Sequence, residues 1–277
     1  MNLLVHDLKL IYLSSFLFAV ACPLLFFIPV LGEFLQHVVE IEIGMYESRG
    51  AFKTLENHDA RQLFGVFKII AISLPSYWYV RYLGYGNSPE AARRFDKLAV
   101  ALWLVVMMFS VSTSLISVFS SELTSLLNLK LTTSAHILLV SNIVLGFLGF
   151  YLLGWTIAWP LGNASIGWIT SARLMNGFVL WAIVYLILGV APYMLVHYAF
   201  TIWAMGSSEE IVWFILSMDS MLVGLLGLNV IGAGYFAVLR AADTKGVNLL
   251  PPSHTRTLAG DLIECRLNHW RRRPDVS

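Results

Sequence analysis

Residues 178–203 read FVLWAIVYLILGVAPYMLVHYAFTIW, and this stretch decides the fold class. Its 26 residues include no Asp, Glu, Lys or Arg. Crossing about 30 Å of hydrocarbon takes about 20 helical residues, so the stretch is long enough to span a membrane. In lipid every backbone N–H and C=O group needs a partner within the protein, and a single segment achieves this only as a helix. The stretch is therefore predicted to be a transmembrane helix.

Five more stretches of similar length and hydrophobicity predict an all-α polytopic membrane protein, a bundle of six transmembrane helices with short loops. The predicted spans are residues 10–35, 63–83, 98–120, 136–159, 178–203 and 211–239. Residues 1–240 would form the transmembrane domain, and residues 241–277 a basic cytoplasmic tail. A content of 58% hydrophobic and 13% charged residues excludes a soluble globular domain. Near-neutral charge, with 18 basic and 17 acidic residues, gives no basic surface for nucleic acid.

Lysine and arginine are distributed unequally between the two sides of the predicted bundle. One side holds most of them, whereas the other has only Arg49, Lys53, Arg61 and Lys130. Basic residues close to the spans are retained in the cytoplasm. The distribution predicts a multi-pass protein of a bacterial-type cytoplasmic (inner) membrane, with both termini cytoplasmic and the 37–62 loop external. The first span is interpreted as a retained helix with a kink near Pro29, not as a signal peptide.

Lys68 and Asp219 lie well inside predicted spans, where charged residues are energetically costly and where functional residues are often found. Lys68 and Asp219 have similar predicted depths below the external surface, so we expect them to form an ion pair that binds a ligand. Two other interpretations stay open. Lys68 can extend its aliphatic stem towards the interface, and Asp219 can be purely structural, hydrogen-bonded through Ser217 or Ser220.

Small polar residues form two stripes at helical spacing. Ser110, Ser114, Ser117 and Ser121 share one face of the third span, and Ser217, Ser220, Gly224 and Gly227 form a stripe on the sixth. The third-span serines are candidate ligand-lining residues, although small residues at this spacing also mark close helix packing. The sixth-span stripe is predicted to seat a neighbouring helix.

Further polar residues map to the external half of the predicted bundle: Glu33, His37, His136, Asn142 and His197. With Lys68, Asp219 and the serine face they predict an outward-facing polar cavity, with His197 among the ligand-binding residues. They can also be solvated ends of the spans. Glu33, His37 and Glu40 follow the i, i+4, i+7 spacing of one helix face. Carboxylate and imidazole ligands at that spacing predict a candidate metal site.

The leading functional hypothesis is a protein that binds or transports a small solute or lipid through the outward-facing cavity. One alternative is a structural or accessory subunit that packs against another membrane protein. The other is an intramembrane lipid-modifying enzyme with Asp219 as acid or base and His197 as its partner. No catalytic or cofactor motif is present in the sequence. The expected partners are membrane lipids, further copies of the chain or other membrane-protein subunits.

Overall fold

The computed structural model describes residues 2–119 and 131–251, and the described residues form helices joined by turns and contain no strand. The helices are α1 (Asn2–Ala21), α2 (Pro23–Glu42), α3 (Arg49–Leu55), α4 (Asp59–Ser73), α5 (Ser76–Gly84), α6 (Pro89–Arg93), α7 (Lys97–Val118), α8 (Leu131–Ala158), α9 (Trp168–Met175), α10 (Val179–Ala204) and α11 (Glu209–Lys245). The predicted all-α polytopic bundle is confirmed.

Seven helical segments in the described residues are long and apolar enough to cross a membrane, one more than predicted. The difference arises in the predicted span 10–35, which is divided into α1 and α2 at Cys22. Cys22 leaves the helical region (φ −132°, ψ 58°), and proline disfavours helical geometry at the residue before it. Pro23 then begins α2, a position where its missing N–H costs nothing. Pro29 lies inside α2, and the kink expected near it stays a prediction.

Helices α1 and α2 pack end to end along α11, which runs in the opposite direction. His37 of α2 contacts Asp219 near the beginning of α11, and Asp7 of α1 lies 3.8 Å from Arg240 near its end. At 1.5 Å per residue, the 37 residues of α11 span about 55 Å, enough to accompany both helices. The two helices therefore follow one path through the bundle and do not form a hairpin.

Glycines of α11 allow the neighbouring helices to approach closely. A Cβ atom added at Gly224 would lie 2.7 Å from the Val30 side chain, and one at Gly227 would lie 3.3 Å from Ile72. The prediction that this stripe seats a neighbouring helix is confirmed. Helix α11 ends at Lys245, where Gly246 adopts the left-handed conformation (φ 65°) that terminates many helices. The tail beyond residue 251 lies outside the described residues.

Two more helices complete the surroundings of α2 and α11. Helix α4 packs antiparallel to α2, with Gly32 close to Ala71. Helix α10 packs antiparallel to α11, where Gly189 faces Ala233. Helices α2, α4, α10 and α11 therefore meet at one end of the bundle, the end that carries the polar residues of the candidate site. Which side of the membrane this end faces stays a prediction.

Candidate functional site

A group of charged and polar side chains is buried where α2, α4, α10 and α11 meet. We call it the charged cluster, and its members are Glu33, His37, Glu40, Tyr46, Arg61, Lys68, His197 and Asp219. Glu33, His37 and Glu40 are 1–3% exposed, so the face predicted for them on the first span is confirmed. It exists because α2 remains helical to Glu42, well beyond the predicted end of the span at residue 35.

His37 lies at the centre of the cluster and contacts three carboxylates. Its Nδ1 atom is 2.9 Å from Glu40 Oε2, and its Nε2 atom is 3.2 Å from Asp219 Oδ2 and 3.4 Å from Glu33 Oε1. A carboxylate only accepts hydrogen bonds, so His37 donates on both sides when both ring nitrogens carry protons. The residue connects α2 to α11.

Asp219 has no exposed surface and is held by two histidines from different helices. His197 of α10 places Nδ1 2.9 Å from Oδ1 and 2.8 Å from Oδ2, and His37 approaches Oδ2 from α2. The predicted neighbourhood of Asp219 and His197 is confirmed, whereas the catalytic role suggested for the pair stays a prediction. Hydrogen-bond donors on two sides of the carboxylate offset the cost of its burial.

The predicted ion pair of Lys68 with Asp219 was wrong. The Lys68 ammonium instead contacts Glu33, at 2.9 Å from Oε1 and 2.7 Å from Oε2. The sequence indicated only how deep each residue lies in the membrane, and Lys68 and Asp219 had similar predicted depths. In the bundle α4 packs on the face of α2 that carries Glu33, so Lys68 meets that residue first.

Glu40 receives three hydrogen bonds from residues that the sequence did not single out as site residues. Arg61 donates to it through Nε at 2.8 Å, Tyr46 through its hydroxyl at 2.7 Å and Gln36 through Nε2 at 2.8 Å. The i, i+4 spacing of Gln36 and Glu40 was a local signal that could have been noticed. The contacts of Tyr46 and Arg61 depend on how the chain folds back after α2.

A tight turn returns the chain to the cluster after α2. Gly44 has a φ of 76°, a conformation that costs glycine little, and the Met45 N–H bonds to the Glu40 carbonyl at 2.9 Å. The turn places Tyr46 against Glu40. Burial, reinforced by the Glu40 carboxylate, raises the pKa of the Tyr46 hydroxyl far above its usual range. Tyr46 is therefore a hydrogen-bond donor at any physiological pH.

The cluster contains more carboxylates than permanent cations. Three carboxylates (Glu33, Glu40 and Asp219) face two permanent cations (Lys68 and Arg61), so one negative charge remains while both histidines are neutral. An uncompensated charge is costly at such burial. A proton on a histidine or a bound cation offsets it. Arg61, Lys68 and His197 have side chains 29%, 25% and 20% exposed, so these three extend from the cluster to the surface of the bundle.

Three side chains of the cluster are arranged so that they can ligate a metal ion. Glu33, His197 and Asp219 each offer a ligand atom, and these atoms lie within 4.8 Å of one another. The set predicted from the sequence was Glu33, His37 and Glu40. Only Glu33 is common to both sets, because helix spacing groups residues of α2 alone, whereas packing adds residues of α10 and α11. Metal binding by the predicted set stays a prediction.

The third-span serines lie away from the charged cluster. Ser110 is half-buried and Ser114 is exposed, and the Ser114 hydroxyl donates to the Ser110 carbonyl of its own helix at 3.0 Å. Helix α7 packs on α4 and α8. A serine on a lipid-facing surface can satisfy its hydroxyl in this way. The side chains of Ser117, His136 and Asn142, and all of Ser121, lie outside the described residues.

Two smaller polar groups lie farther along the same helices. Ser15 bonds to Tyr79 at 2.9 Å and to Asn229 at 2.8 Å. Near the end of α11, the Tyr185 hydroxyl donates to Asp7 and lies 3.0 Å from Arg240. Each group joins α11 to α1 and one further helix, so the buried polar contacts also hold the bundle together.

Comparison of the chain with protein-family models, with curated proteins and with solved structures gives no match.

Proposed function

We propose that this multi-pass membrane protein binds a small cation at the charged cluster and transports it. The observation that carries the proposal is the excess of one carboxylate over the permanent cations in a buried site. Intramembrane carboxylates and histidines grouped in this way commonly belong to ion or proton pathways. Carboxylates outnumber the permanent cations of the cluster, which disfavours an anionic solute or a phosphate headgroup, so a cation is preferred to the lipid ligand that the sequence left open.

The partly exposed members of the cluster support an entry route for the cation. Lys68 contacts Glu33 while 25% of its side chain is exposed, so its long stem can carry the ammonium outwards and free the carboxylate. His197 is also partly exposed and contacts the fully buried Asp219. A cation that passes Lys68 would therefore meet Glu33 and Asp219.

Charge movement in proteoliposomes tests the proposed transport. Full-length protein is reconstituted, adsorbed on a solid-supported membrane and exposed to concentration jumps of Na⁺, K⁺, Mn²⁺ or putrescine at constant pH and ionic strength. We expect a transient current with at least one cation. Asp219→Asn should abolish it, and the matched exposed change on the same helix, Asp243→Asn, should preserve it.

The partly exposed His197 provides a second variant if Asp219→Asn does not fold. His197→Gln should also reduce the current. The proposal is refuted if no cation gives a current, or if the current is unchanged in both cluster variants.

A further inference from the structure

We infer that Glu33, His197 and Asp219 form a binding site for a divalent first-row transition-metal ion. The inference rests on the proposed function and deepens it, because it names the class of cation that the charged cluster takes. The three residues belong to α2, α10 and α11, so the ion would join three helices that are far apart in the sequence. Glu33 and Asp219 are 1% and 0% exposed, which places the ion in a protected position.

The ligand atoms are close enough to reach one ion. Their separation of at most 4.8 Å compares with about 3 to 4 Å between atoms bonded to one ion at about 2.1 Å. A shift of up to about 1 Å in each of two ligand atoms, by rotation of their side chains, closes this difference. The remaining coordination positions would be filled by water or by the transported species, as at open metal sites.

Neighbouring side chains orient the carboxylate ligands. His37 Nε2 lies 3.2 Å from Asp219 Oδ2 and 3.4 Å from Glu33 Oε1, so it contacts both proposed carboxylate ligands. Hydrogen bonds of this kind fix the orientation of metal ligands and commonly accompany them. The cluster thus has ligand atoms and also the surrounding contacts that a metal site needs.

Lys68 occupies the side of Glu33 that the ion would approach. Its ammonium lies 2.7 Å from Glu33 Oε2, and its partial exposure allows it to turn away. With Lys68 displaced and both histidines neutral, the three carboxylates and Arg61 leave two negative charges, which one divalent ion neutralises. Lys68 is therefore a competitor of the metal, and its removal should strengthen metal binding.

The ligand types favour a transition metal over an alkaline-earth ion. Two carboxylates and one imidazole suit Mn²⁺, Fe²⁺, Co²⁺ or Zn²⁺. Ca²⁺ prefers six to eight oxygen ligands, and Mg²⁺ retains several waters in an octahedral oxygen site. Cys22, the one cysteine among the described residues, lies at the junction of α1 and α2 and is not one of the three ligands.

Equilibrium metal binding to the purified full-length protein tests the site. Protein in nanodiscs is stripped with a chelator, equilibrated with Mn²⁺, Co²⁺, Zn²⁺ or Ca²⁺, and analysed by elemental mass spectrometry. We expect one transition-metal ion per chain and no stoichiometric Ca²⁺. Glu33→Gln and His197→Gln should each weaken binding at least about tenfold, whereas Lys68→Ala should strengthen it.

Matched controls separate the site from non-specific binding. Glu42→Gln changes an exposed carboxylate on the same helix as Glu33, and His6→Gln changes an exposed histidine on α1. Both controls should bind the metal like the unmodified protein. Absence of a stoichiometric metal, retention of binding in Glu33→Gln and His197→Gln, or weaker binding in Lys68→Ala would each overturn the inference.

The two proposals can fail separately. A stoichiometric metal without a current from any cation would refute transport and leave the metal site intact. A current from Na⁺, K⁺ or putrescine, with no transition metal bound, would refute the metal site and leave cation transport intact.

Discussion

Asp219 connects three helices through its hydrogen bonds to two histidines. The carboxylate is fully buried on α11 and accepts hydrogen bonds from His37 of α2 and His197 of α10. Loss of a partner from a buried ionic group costs about 3 to 5 kcal/mol, because the remaining group stays buried and unpaired. A substitution of Asp219 is therefore expected to change both the stability of the fold and the binding of a ligand. Variants of Lys68 and His197, which are partly exposed, are expected to affect stability less and therefore report more directly on ligand binding.

Tyr46→Phe gives a prediction about pH dependence. The pKa of the Tyr46 hydroxyl is raised by burial and by Glu40, so the folded protein holds this proton more tightly than the unfolded chain. The corresponding stability is complete below the pKa of an unfolded tyrosine, about 10, and decreases as the pH rises above it. We expect the melting temperature of the unmodified protein to fall more steeply above pH 10 than that of Tyr46→Phe.

Tryptophan fluorescence during heating in detergent measures this difference between pH 7 and 11. Tyr198→Phe is a matched control, because Tyr198 is exposed. It should follow the unmodified protein over the whole pH range. If the melting temperatures of Tyr46→Phe and the unmodified protein fell equally between pH 7 and 11, the Tyr46 proton would not contribute to stability and the prediction would be wrong.

Helix α11 is the element around which the other helices are arranged, and its small residues set their distance. Gly224 lies where α2 crosses, between the charged cluster and the Ser15, Tyr79 and Asn229 group. The stripe of small residues was recognisable from the sequence because helical spacing is a local property. The break between α1 and α2 was not predicted, because residues 10–35 form one apolar run whose polarity does not mark Pro23 as the beginning of a new helix.

Gly224→Ala should destabilise the protein by separating α2 from α11. The added Cβ would lie 2.7 Å from the Val30 side chain and 2.9 Å from the Phe26 ring, closer than real Cβ contacts, so these side chains or α2 itself must shift. Overpacking of this kind costs about 1 to 3 kcal/mol. We expect a lower melting temperature and, because α2 carries Glu33 and His37, weaker cation binding.

Gly146→Ala is the control for this substitution. Gly146 lies within α8, and outside the backbone of α8 no atom of the described residues lies within 4 Å of the position that its Cβ would take. The same chemical change should leave the melting temperature unchanged or raise it slightly, since alanine favours helix. Equal effects of the two substitutions would show that the contact at Gly224 does not limit the approach of α2.

The orientation of the protein in the membrane is predicted from its basic residues. In a background of Cys22→Ala and Cys265→Ala, single cysteines are introduced at the exposed residues Asn57 and Glu90. A membrane-impermeant maleimide added to intact cells should label Asn57→Cys and leave Glu90→Cys unlabelled until the cells are lysed. The reason is that Glu90 lies beside Arg93 and Arg94, and basic residues next to a span are predicted to be cytoplasmic.

The reverse labelling pattern would place the charged cluster at the cytoplasmic end of the bundle. The cluster and its contacts would be unchanged, but a cation would then enter from the cytoplasm. The labelling result therefore decides the direction of access, and the metal-binding experiment is independent of it.

The all-helical, membrane-spanning character of the protein followed from its sequence, because the length and polarity of a span are local properties that lipid constrains directly. Glu33, His37 and Asp219 were recognised as unusual polar residues for the same reason. Their partners were decided only by packing. Lys68 meets Glu33 and not Asp219 because α4 lies against α2, and His197 reaches Asp219 because α10 lies against α11. A contact between distant helices depends on which of their faces meet, and no local pattern of residues specifies that.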